Sequence, residues 1–142
     1  MKIDTALNHQ RRAMVSLKDA YSAARIYHST HATILANADL PFLPISTEAA
    51  FFTNIGRIPF VMPGTQALGD AIVEAMGKGW AVLMQNHGIL VSGRSLRRAA
   101  DMAEIIDRTA EVIVGCYAVG KPPPTLPEET VRMLSKMGDL IA

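Results

Sequence analysis

Short strands alternating with helices predict an α/β fold for this 142-residue chain. Three observations carry the prediction. Trp80-Ala81-Val82-Leu83-Met84 is a continuous apolar run, the pattern of a strand buried on both faces. Ala99, Ala103, Ile106, Ala110, Ile113 and Tyr117 recur at alternating spacings of four and three, which is one stripe of a long helix. Thr65 and Gly77 bracket an apolar-periodic segment at the positions of an N-terminal cap and a C-terminal stop.

The elements follow in order. Residues 5–24 are rich in Ala, Leu, Met, Lys and Arg without Pro or Gly, so the first 24 residues read as a helix with Ala6, Ala13, Leu17, Ala20 and Ala24 near one face. Arg25-Ile26-Tyr27-His28 fits either a short strand or more helix. His31 to Ala38 reads as helix again, and Leu40-Pro41-Phe42-Leu43-Pro44 must leave it, because a residue before proline is driven to extended geometry. Ile58-Pro59-Phe60-Val61 is a short extended segment that its proline confines to a sheet edge. Thr65 caps a helix over Gln66–Met76 with Leu68, Ile72, Val73 and Met76 as its stripe.

After the apolar strand comes a turn at Asn86-His87-Gly88, then strand Ile89-Leu90-Val91, ended by Gly93. Ser95 caps the long helix, Leu96 to about Ala118. Pro122-Pro123-Pro124 forces an extended path, and Thr125 with Glu128 forms a capping box for a last helix over 125–140. The whole, 1–142, reads as one domain.

Composition excludes several functions. With 14 Lys+Arg against 13 Asp+Glu the net charge is +1, which gives no electrostatic footprint for nucleic acid or an anionic membrane surface. Aromatics are only 6%, too few for base stacking to be a binding strategy. No apolar run is long enough to span a membrane, and Met1-Lys2-Ile3-Asp4 lacks a signal-peptide pattern, so the expectation is a soluble, cytoplasmic protein. A lone Cys116 rules out an internal disulfide and a multi-cysteine zinc site, and its apolar neighbours make it a packing residue.

The chemistry rests on histidine. Of His9, His28, His31 and His87, the second and third flank Ser29-Thr30, and His87 lies in a polar Asn-His-Gly inserted between apolar strands. Asn and Gly there suit a hairpin turn, and imidazoles suit a metal such as zinc; the pattern alone is compatible with both. Pro63-Gly64-Thr65 reads as a helix cap or as an anion-binding helix start. There is no glycine-rich phosphate loop and no G-x-S-x-G elbow.

The segment Val82-Leu83-Met84-Gln85-Asn86-His87-Gly88-Ile89-Leu90-Val91-Ser92-Gly93 resembles the strand–NHG–strand of the class II aldolase/adducin family. Ser95 through Glu104 resembles the helix that follows it there, and His28-Ser29-Thr30-His31-Ala32-Thr33 is similar to the segment around the second histidine of the family's H-x-H. The likeness spans about residues 20–130 and corresponds to a C-terminal portion of the L-fuculose-phosphate aldolase-like domain, with a divergent N-terminus. It implies α/β/α layers around a small, mainly antiparallel sheet, and a zinc-dependent lyase, commonly tetrameric, that cleaves a C–C bond in a small hydroxy-carbonyl or hydroxy-acid substrate through a metal-stabilised enediolate.

By the same resemblance His87 and His28 are metal ligands, and His31 is a histidine that some relatives also carry near the site. The first H-x-H histidine falls on Ile26, which has no ligand atom. The family's phosphate-binding Gly-Asn-x-Ser has no counterpart in this sequence, and Asp4-Thr5-Ala6-Leu7-Asn8 near the place of its acid/base glutamate carries no glutamate. Asp39 and Glu48 are the nearest carboxylates in sequence, and no base is assigned to either. Ile26 in place of histidine and the missing glutamate favour one alternative, an adducin-like assembly protein; a further alternative is one part of a split enzyme.

Overall fold

The computed structural model describes residues 23–141. Four strands, β1 (Ala23–Tyr27), β2 (Ile55–Ile58), β3 (Ala81–Met84) and β4 (Gly88–Gly93), form one sheet in the order β1-β4-β3-β2. Five helices surround it: α1 (Thr30–Asn37), α2 (Thr47–Ala50), α3 (Gln66–Met76), α4 (Leu96–Ala118) and α5 (Glu128–Ile141). β1–β4 and β3–β4 are antiparallel and β2–β3 is parallel, so the sheet is mixed, with two antiparallel ladders of three.

The apolar run becomes β3, and every residue of β3 and β4 is buried. Alternation divides their side chains between two cores. Ala81, Leu83, Ile89 and Val91 pack with Ala32, Leu35 and Ala36 of α1 and with Ala99, Ala103, Ile106, Ala110 and Ile113 of α4. Val82, Met84 and Leu90 pack on the other side with Ile58 and with Leu68, Ile72 and Met76 of α3. The result is helix, sheet and helix in three layers. The α3 layer seats closely: a Cβ on Gly56 of β2 would lie 2.2 Å from the Ala75 carbonyl oxygen.

Caps set the helix starts as the sequence predicts. Thr65 accepts from Leu68 N–H and Ser95 from Arg98 N–H, each closing an otherwise open first turn. Gly77 ends α3 with φ +48°.

Three expectations are corrected. The predicted N-terminal helix falls mostly outside the described residues, but its last two, Ala23 and Ala24, belong to β1 and pair with Gly93 and Ser92. Ladder bonds to a buried neighbour strand outweigh the helix preference of alanine there. Arg25–Tyr27, open between helix and strand, is strand. The expected edge strand Ile58–Val61 is instead β2, Ile55–Ile58; it lies at the sheet edge, and Pro59, without an N–H, ends it.

The capping box at Thr125 does not form. α5 begins at Glu128, with Val131 N–H bonded to the Pro127 carbonyl at 3.0 Å, while Leu126 N–H is taken by the Pro44 carbonyl at 3.0 Å. Leu126 precedes a proline and is thereby kept out of helical geometry. The short helix α2, capped by Ser46, is an element the sequence reading missed, four residues being too few to show a period.

These assignments predict two different losses on urea unfolding. Ser95→Ala removes one cap bond and is expected to cost about 1 kcal/mol. Ile106→Ala opens a cavity in a side chain with no exposed area and is expected to cost about 2–5 kcal/mol.

Candidate functional site

Strand geometry gathers the polar residues at one end of the sheet. β1 ends at Tyr27, opposite Ile89, so His28 emerges beside the start of β4. Met84 and Gly88 are paired, and Gln85, Asn86 and His87 connect them. The His87 N–H closes this turn on the Met84 carbonyl at 3.2 Å, and Asn86 takes φ +58°, the left-handed conformation that asparagine tolerates better than most residues. The turn reading of Asn-His-Gly therefore holds, and the turn also carries His87 to His28: the two ring centroids are 5.4 Å apart, tilted by 30°.

Gly88 is required by this approach. Its φ is +148°, and a Cβ there would meet the Tyr27 carbonyl oxygen at 2.2 Å and the His28 Cα at 3.3 Å. The absence of a side chain at Gly88 lets the histidine-bearing end of β1 lie against the turn.

His87 is half-buried, and its Nδ1 is buried with no hydrogen-bond partner among the described residues. Leaving such an atom unpaired costs about 1–3 kcal/mol. Burial, and secondly the neighbouring charge of His28, hold the His87 ring below the usual histidine pKa, so it stays neutral with a lone pair free. His28 lies exposed beside it, in a cleft of about 300 Å³ that it lines with Tyr27, Ser29, Ala103, Glu104 and Asp107.

His31 takes another direction. Its Nδ1 lies 3.4 Å from Asp107 Oδ2 of α4. Asp107 Oδ1 also accepts from the Ser29 hydroxyl and from the N–H groups of His31 (3.0 Å) and Ala32 (3.1 Å). Burial works to raise the Asp107 pKa, but the Ser29 hydroxyl, the Ala32 N–H and His31 outweigh it and hold the carboxyl below its usual value. Among the described residues no three His, Cys, Asp or Glu side chains converge as a metal-binding set.

Ile26, two residues before His28 on β1, pairs with Leu90 and packs against the α3 core, so this position supplies carbon and no ligand. Asp39 is bound to Arg57 at 3.1 Å, and Glu48 sits in the first turn of α2; neither joins the histidine pair. Asp107 was missed from sequence: it lies half-buried beside the buried stripe of α4, and its partners Ser29, His31 and Ala32 are far away in the sequence.

The family model described as Class II Aldolase and Adducin N-terminal domain matches residues 21–114. The chain belongs to the class II aldolase family. Rhamnulose-1-phosphate aldolase of Enterobacter sp. (strain 638) is 33% identical over 93 residues, covering 64% of this chain and 34% of that protein. The enzyme of the same name from Pectobacterium carotovorum subsp. carotovorum (strain PC1) is 34% identical over the same shares. This class II aldolase chain thus spans about a third of the length of these curated relatives.

Solved structures share the fold. An L-fuculose 1-phosphate aldolase superposes with a TM-score of 0.81 at 23% identity, over 92% of this chain and 63% of that one. An aldolase II superfamily protein from Pseudomonas syringae gives 0.78 at 15% identity, over 92% and 53%. A sugar-phosphate aldolase from Thermotoga maritima gives 0.73 at 25% identity, over 84% and 56%. No helix among the described residues is long and apolar enough to cross a membrane.

Two outcomes are expected at this site. Gly88→Ala forces both a strained φ and a clash with β1, so the His28–His87 ring contact is lost and stability falls by about 1–3 kcal/mol, read by NMR and urea unfolding. In metal-free protein His87 titrates below the ordinary histidine value, and His28→Ala moves it part-way back up. The unfolded chain takes up a proton near pH 6.5 that the folded ring resists, so the His87 contribution lowers stability as pH falls below about 6.5. NMR titration of the imidazole measures the first, and urea midpoints across that range the second.

Proposed function

We propose that the chain carries part of the centre of a divalent-metal-dependent lyase of the class II aldolase type, with zinc as the metal and a small hydroxy-carbonyl compound or hydroxy-acid as substrate. The carrying observation is the His28–His87 pair with its unpartnered, buried and neutral His87 nitrogen. A neutral imidazole is a metal ligand, and an orphaned nitrogen offsets its burial when a metal binds. The residues present fit the metal as two of its donors. The sugar-phosphate aldolase names of the relatives support the same reaction class.

When bound, the metal supplies Lewis acidity toward the substrate's hydroxyl and carbonyl oxygens. The chain's own residues hold the two imidazoles in place. The closed turn at Gln85–His87 fixes one ring, the end of β1 fixes the other, and the cleft beside His28 leaves room for a small molecule. The remaining donors and the proton-transferring carboxylate come from outside the described residues or from another subunit. Exposed Phe60 and Met62 follow β2 at this same end of the sheet and suit a homo-oligomer built around the site.

The test is metal content per chain by elemental mass spectrometry after zinc addition. Near-stoichiometric zinc is expected in the wild type, with loss in His28→Ala and in His87→Ala. Ile26→His places a further imidazole on β1 two residues before His28 and is expected to raise zinc affinity tenfold or more. Wild-type protein without zinc, and no gain from Ile26→His, would overturn the proposal.

A further inference from the structure

α1 touches both histidine-bearing segments, one at each end. At its N-terminus Ser29, which directly follows His28, caps the helix, and Asp107 locks that cap from α4 across 78 residues of sequence. One carboxylate oxygen serves the Ser29 hydroxyl and two backbone N–H groups of the first turn, and the other lies against His31. At the C-terminus Asn37 Oδ1 accepts from the Asn86 N–H at 2.7 Å, and Gln85 Nε2 donates to the Ala36 carbonyl at 3.2 Å. Asn86 and Gln85 are the two residues before His87.

The helix between these ends is rigid. It is eight residues long, about 12 Å, and Ala32, Leu35 and Ala36 on its inner face have no exposed area. A packed helix bonded at both ends fixes the distance between what it is bonded to. A left-handed Asn86 also needs outside support, which the Asn37 bond gives at the strained residue itself.

We infer that α1 is a strut setting the separation of His28 and His87, and that Asp107 and Asn37 are its positioning residues, one for each histidine. The inference deepens the metal reading above and, for its first readout, rests on it. His31 belongs to this strut rather than to the histidine pair: its imidazole braces Asp107 from the first turn of α1. Groups outside the ligand shell that orient the ligands typically change metal affinity by about tenfold to a hundredfold.

The experiment compares wild type with Asp107→Ala, Asp107→Asn, Asn37→Ala and the control Ser95→Ala, a cap of similar worth away from the site. Zinc affinity is measured by competition with a chromophoric chelator. The His28–His87 ring contact is measured by NMR without metal. Asp107→Ala and Asn37→Ala are each expected to weaken zinc binding by about tenfold or more and to lose the ring contact. Asp107→Asn, which keeps an acceptor oxygen, should recover part of both, and Ser95→Ala should change neither.

If wild type binds no zinc, the metal reading fails while the ring contact still decides the strut. If zinc affinity and ring contact in the Asp107 and Asn37 variants match those of Ser95→Ala, the strut is overturned. Asn37 is exposed, so its variant tests the inference even where Asp107→Ala does not fold.

Discussion

Burial of β3 and β4 on both faces is the constraint on which the rest of the structure depends. A strand pair with no solvated face must find an apolar layer on each side. α1 and α4 supply one layer and α3 supplies the other, and their inner stripes are filled with the alanines, leucines and isoleucines that allow close approach. The sheet then has little freedom except at its ends. Any polar residue needed for chemistry must enter where strands stop, and the Gln85–His87 turn is such a place.

The polar groups at that end break the rules that the core obeys. Asn86 is left-handed, Gly88 tolerates no Cβ, and His87 keeps a buried nitrogen without a hydrogen bond among the described residues. Each is locally unfavourable, and the core on both sides of the hairpin provides the stability that tolerates them. Asp107 is the counterpart on the helix side, a half-buried carboxylate beside the apolar stripe of α4. Its charge is held by four donors, three of them from the turn after His28 or the first turn of α1 by way of backbone or hydroxyl groups.

Elements with both a period and a cap were legible in the sequence. α3 and α4 begin after Thr65 and Ser95 as read, because the capping side chain and the stripe point to the same boundary. Where local preference and tertiary pairing conflict, pairing prevailed. Ala23 and Ala24 are good helix formers, yet they complete a ladder with β4. Pro127 places the start of α5 later than a Ser/Thr-x-x-Glu pattern suggests, since Leu126 cannot be helical before it and bonds to Pro44 instead. For the site, the Asn-His-Gly motif was legible because a polar triplet between apolar strands is unusual. Asp107 and Asn37 were not, since their roles depend on partners far away in the sequence.

His31 illustrates why spacing alone misleads. Two histidines three apart share a face only if both lie in one helix. Here His28 follows the end of β1 and His31 sits in the first turn of α1, so the chain changes direction between them. The same change of direction exposes the N–H groups that Asp107 accepts and leaves His31 beside that carboxylate. One histidine thus faces His87 across Gly88, and the other braces the helix that holds them together. Among the described residues no third metal-ligating side chain converges on the pair, so the protein around it must set its separation. A rigid link between the two turns therefore matters more here than it would in a site with three converging imidazoles, whose metal would itself fix the geometry.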